Sequence, residues 1–138
     1  MTVMTAVPLQ LTSIEVELLD FLSYVYLQID EPAKAAALLA VRQAHAETQH
    51  GHLPDTRAAI ALAVARTRNA QPRKALRVLQ DLAQRCPAVL QDASYHLTRA
   101  QALSAAGEHD AAVVAMRTYV ERRPASLAAM GDQTQATS

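Results

Sequence analysis

Apolar side chains recur at three- and four-residue intervals from about residue 11 to 124, the spacing of helices that each turn one face inward. Ile14, Leu18, Leu19, Phe21, Leu22, Val25 and Tyr26 form the first stripe. Thr12-Ser13-Ile14-Glu15 ahead of it reads as a capping box, with a hydroxyl over free amides and a glutamate reaching back. This helix is expected to stop near Asp30. Asp30-Glu31-Pro32 opens a second over about 31–48, because proline in a first turn withdraws an amide that has no partner there. The loop His50-Gly51-His52-Leu53-Pro54 leads into a third over about 54–69, and Asn69 to Pro72 repeats the turn-plus-proline device before a fourth over 71–85. A fifth, over about 88–106, ends at Gly107, which supplies the positive φ of a helix C-terminus. The sixth is expected over 108–123, stopping before Pro124. Residues 1–10 lack a period and 125–138 end in small and polar residues, so both ends are expected to be flexible around a helical domain at 11–124.

Six helices joined by short turns imply antiparallel hairpins, and the three hairpins resemble one another. Each second helix opens alike: Asp30-Glu31-Pro32-Ala33-Lys34-Ala35, Gln71-Pro72-Arg73-Lys74-Ala75 and Gly107-Glu108-His109-Asp110-Ala111-Ala112. Ala35, Ala75 and Ala112 align, and Pro87 and Pro124 follow the last two at one fixed interval. A small residue there lets the helices of a hairpin approach closely. This is the rhythm of a degenerate tetratricopeptide repeat, with insertions before the second and third units. The expected fold is all-α, a right-handed superhelical stack of three hairpins.

Composition agrees and narrows the chemistry. Twenty-nine of 138 residues are alanine, three are glycine and none is tryptophan, which suits helices packed through aliphatic side chains. Thirteen basic residues balance thirteen acidic ones, so the chain lacks the excess of a general nucleic-acid binder. The charges are segregated, however. Residues 1–31 carry Glu15, Glu17, Asp20, Asp30 and Glu31 with no lysine or arginine, whereas 57–85 carry seven basic residues against Asp81 alone. No aromatic platform interleaves those arginines, which favours solvated faces over a nucleic-acid site. A sharper reading is a groove whose ends differ in sign and so orient a bound segment.

Catalytic and metal signatures are not expected. His45, His50 and His52 lie close in sequence, but no cysteine or carboxylate at helical spacing completes a ligand set. Cys86, Asp92 and His96 lack a local nucleophile motif. Gly51, Gly107 and Gly131 build no phosphate loop. The chain is therefore expected to be no enzyme and to hold no cofactor. A lone cysteine, the lack of a cationic leader, acids in the first apolar stretch and arginines in the alanine-rich ones suit a soluble cytoplasmic protein that does not enter membranes.

In stacked hairpins the first helix of each pair lines the concave side. This selects a partner-binding groove of Asp20, Tyr24, Leu27 and Gln28 from the first unit, Arg57, Ile60, Val64 and Arg68 from the second, and Leu97 and Gln101 from the third. Tyr24, Ile60, Val64 and Leu97 would serve equally well as core.

One stretch carries a more particular likeness. Leu97-Thr98-Arg99-Ala100-Gln101, then Gly107-Glu108-His109-Asp110-Ala111-Ala112, then Tyr119-Val120-Glu121, with the chain length and the start at Leu11-Thr12, resemble the small tetratricopeptide-type chaperones of bacterial type III secretion. The resemblance covers about 11–124 and is greatest to the SctY (YscY-like) assembly chaperones. It implies a cytoplasmic chaperone that holds an early-exported component of the SctX type in its groove and helps deliver it to the export gate. Translocator-class chaperones of the same system share these features. A general adaptor for an unrelated peptide is the alternative. The open ends of a short repeat stack also suit a homodimer when the partner is absent.

Overall fold

Thr12 caps the first helix as its motif predicts. Its hydroxyl accepts from the Glu15 amide at 3.2 Å, and its own amide donates to Glu15 Oε1 at 3.1 Å. The Thr12 amide first, and its side chain second, hold the Glu15 carboxyl below the ordinary glutamate range. The structure is a computed structural model that describes residues 11–49 and 55–136, the side chains of 49 and 124–136 excepted. Six α-helices fill it, with no strand among the described residues. They are α1 (Ser13–Gln28), α2 (Pro32–Gln49), α3 (Thr56–Arg68), α4 (Pro72–Arg85), α5 (Ala93–Ala105) and α6 (His109–Ala136). No helix among the described residues is long and apolar enough to cross a membrane.

Two boundaries differ from expectation. The single helix expected over 88–106 is divided: a 3-10 turn at Pro87–Gln91 comes first, and Asp92 then starts α5, its side chain accepting from the Ser94 amide at 2.9 Å. An aspartate in extended backbone caps better than it continues a helix, so the chain turns there. At the other end α6 runs through Pro124 to Ala136, past the expected stop and into the expected flexible tail. Proline withdraws one donor from the helical ladder, and Ala125, Ala128 and Ala129 beyond it favour continuation. The segments 1–10 and 50–54, with the loop at His50 and His52, lie outside the described residues.

The internal repeat is written into the backbone. Asp30, Ala70 and Gly107 all have φ between 59° and 82°, and each sits just beyond the first helix of its hairpin. The two turn bonds around them recur three times. Asp30 N donates to Leu27 O and Glu31 N to Tyr26 O; Ala70 N to Thr67 O and Gln71 N to Arg66 O; Gly107 N to Ser104 O and Glu108 N to Leu103 O. Each set is a Schellman motif that satisfies carbonyls the helix end leaves free and reverses the chain into the second helix. Only the third site has the glycine this backbone favours. Ala70→Gly is therefore expected to stabilise the fold by about 1 kcal/mol, the left-handed strain of an L-residue less the added freedom of the unfolded chain. A rise in the urea midpoint at constant m-value would show it; a fall would mean that alanine is unstrained there.

The hairpins α1–α2, α3–α4 and α5–α6 pack in chain order. Ala35 and Ala75 are fully buried, which realises the close approach that the aligned alanines predict, while Ala112 in the last hairpin is only half-buried. Leu39 and Ala35 of α2 meet Leu62 and Ala65 of α3 in one cluster. Leu79 and Leu82 of α4 meet Tyr95 and Ala102 of α5 in the larger one. Between the second and third hairpins, α5 rests on both α3 and α4. Between the first and second, α2 carries the packing on α3, and α1 and α3 scarcely touch.

Candidate functional site

The sparse α1–α3 contact leaves an open groove of about 380 Å³. Asp20, Ser23, Tyr24 and Leu27 of α1 form one wall, and Arg57, Ala58 and Ala61 of α3 form the other. Leu39 and Arg42 of α2 make the floor, with Asp55 at one end. Ser23 can be buried because its hydroxyl donates to the Leu19 carbonyl at 2.7 Å within its own helix.

Arg42 holds this groove in shape. Its side chain is 13% exposed, and its guanidinium reaches Asp20 Oδ1 of α1 through Nε at 3.2 Å and Asp55 Oδ2 through Nη2 at 2.9 Å. Asp55 meanwhile caps α3, accepting from the Ala58 amide at 3.0 Å. One planar cation thus ties the first helix to the start of the third, a fork that lysine cannot reproduce. At the other end of the two helices Arg68 Nη1 donates to the Leu27 carbonyl at 3.2 Å. On the α2–α4 side, Arg85 bridges Glu47 at 2.7 Å and Asp81 at 3.2 Å. The hydrogen bond to Glu47, followed by that to Asp81, raises the Arg85 pKa further.

Of the ten candidate residues, the structure gathers Asp20, Tyr24, Leu27 and Arg57 around this groove. Arg68 is exposed and bonds across its far end, and Gln28 is exposed beside it at the end of α1. Ile60 turns instead toward the α3–α4–α5 core, while Val64 and Leu97 are half-buried. Gln101 lines a separate, shallow depression between α5 and α6, together with Ala105, Val113 and Met116. Arg42 and Asp55, which brace the groove, escape a reading confined to first helices. The signal for them was a charge placed inside the apolar run of α2 and an acidic residue just before α3.

Two of the remaining polar groups are engaged structurally. Asp92 caps α5, and the His96 ring nitrogen Nε2 lies 2.7 Å from the Leu90 carbonyl, its ring edge-on to Tyr95. Cys86 is half-buried against the α4–α5 core. His45 is buried in α2. Among the described residues no group of three or more His, Cys, Asp or Glu side chains comes together as a metal site.

What the groove can do is hold apolar side chains of another chain between walls that carry fixed charges of both signs, Asp20 and Asp55 against Arg42 and Arg57. No family model, no curated protein and no solved structure matches this chain.

Proposed function

We propose that the protein is a non-enzymatic binding module of tetratricopeptide type that takes a helical segment of a partner into the α1–α3 groove. The observation that carries the reading is the groove itself: the apolar Leu27, Leu39 and Ala61 beside Tyr24, framed by a braced arginine and two aspartates. Its volume suits a few side chains, the anchors of an amphipathic segment. The likeness to SctY chaperones supports a partner of the SctX type, held in the bacterial cytoplasm and handed to the export gate. Covering the partner's apolar face would keep it from assembling early. An adaptor for an unrelated short peptide is the second reading, favoured by the small size of the groove.

Co-expression with a small secretion protein of the SctX type, followed by co-purification, tests the chaperone. A stable complex supports it, and none removes it. Tyr24 is 62% exposed, so Tyr24→Asp should leave the helical spectrum and melting temperature unchanged while weakening the complex about tenfold or more. Leu27 is a poorer probe because it packs against the α2–α3 cluster, so its loss would mix binding with stability. Unchanged affinity in Tyr24→Asp would place the interface elsewhere.

A further inference from the structure

The hairpin-to-hairpin interface occurs twice within the chain, and among the described residues one half of it stands bare at each end. Counted from Asp30, Ala70 and Gly107, Leu18 of α1 occupies the register of Ala58 in α3 and Tyr95 in α5, and Val25 that of Ala65 and Ala102. Ala65, Tyr95 and Ala102 are buried where α3 and α5 meet the preceding hairpin, and Ala58 is buried in the wall of the α1–α3 groove. Leu18 and its neighbour Phe21 are more than half exposed. At the other end Met116 of α6 occupies the register of Leu39 and Leu79. Those leucines are 3% and 1% exposed beneath the next hairpin, whereas Met116 is 40% exposed, with Val113 and Val120 exposed on either side of it.

We propose that these two bare halves close on one another between copies: α1 of one molecule seats on α6 of the next, head to tail, and continues the stack. Three observations select this occupant. The contact would repeat an interface the chain already makes at α2–α3 and α4–α5. Its own chain does not cover the stripe within the described residues, since α6 runs on to Ala136 instead of turning back. The charges also match. The α1 segment has Glu15, Glu17 and Asp20 and no basic residue, while α6 from Val113 to Arg123 has three arginines against Glu121 alone. Pairing two α1 faces would set acid against acid, and pairing two α6 faces arginine against arginine, so a head-to-tail contact is favoured over a twofold one.

Sedimentation velocity of the full chain tests this, with Phe21→Glu to disable one half and Met116→Glu the other. The wild type is expected to gain mass beyond a dimer as its concentration rises toward millimolar. Each variant alone should stay monomeric, with association weakened at least about tenfold. An equimolar mixture should restore a one-to-one dimer and nothing larger, because each variant supplies the half the other lacks. Circular dichroism checks folding, and Phe21→Ser with Met116→Ser replaces any variant that unfolds. A wild type that stays monomeric, with or without a partner helix on α1, overturns the proposal. So does self-association of Met116→Glu or of Phe21→Glu alone, which would mean α1–α1 or α6–α6 pairing. A mixture that remains monomeric overturns it as well.

Discussion

Leu79→Ala is expected to destabilise the chain by about 3 kcal/mol, the largest effect of any single truncation considered for this fold. Leu79 is one of two large side chains fully buried among the described residues, and it stands in the cluster that joins α3, α4 and α5. Truncation removes its transfer free energy and leaves a void between helices. The small neighbours Ala59, Ala63, Ala75 and Ala102 have no side chains long enough to collapse into that space. The register gives this prediction an internal control. Met116 holds the same position in the last hairpin but is partly exposed, so Met116→Ala in dilute protein should cost less than about 0.5 kcal/mol. Urea denaturation of both variants checks the pair. Equal losses would mean that the burial seen at Leu79 does not follow from being covered by a following hairpin.

The division into hairpins was legible because short-range chemistry dictates it. Thr12 and Glu15 cap α1 through neighbours three residues apart, Pro32 and Pro72 open the second helices, and Gly107 closes α5. The equivalence of Ala35, Ala75 and Ala112 reappears in the three Schellman turns five residues earlier. The break at Asp92 was missed because 88–106 contains neither glycine nor proline, and a local reading lets the helix run. The repeat held the answer: Asp92 follows Asp55 at the interval that separates Ala112 from Ala75, and both aspartates cap the first helix of their hairpin. The run through Pro124 shows the converse, since one missing amide does not end a helix when the residues beyond it favour helix.

The groove was legible only in part, because its shape depends on how hairpins lean rather than on which helix comes first. Asp20, Tyr24, Leu27 and Arg57 lie around it. Ile60 belongs instead to the core, because α5 closes on both α3 and α4 and covers that side of α3, whereas nothing equivalent closes α1 onto α3.

Arg42→Met should cost about 2 kcal/mol, more than a surface ion pair and less than a fully buried one, because Arg42 is largely covered while Asp20 is half exposed. Methionine keeps the packing of the aliphatic stem against the groove floor, so the loss reports the charges. It leaves Asp20 and Asp55 facing the same space without the cation that bridges them. Arg42→Lys should recover about half of the loss, since an ammonium can serve one carboxylate but cannot span both through Nε and Nη2. Asp20→Asn in the Arg42→Met background should then cost little, as its partner is already gone, which makes the double-mutant cycle non-additive. Urea midpoints for the four proteins test this. Additive losses would show that Arg42 and Asp20 do not stabilise one another, and the groove would then owe its shape to α2 and α3 without that ion pair.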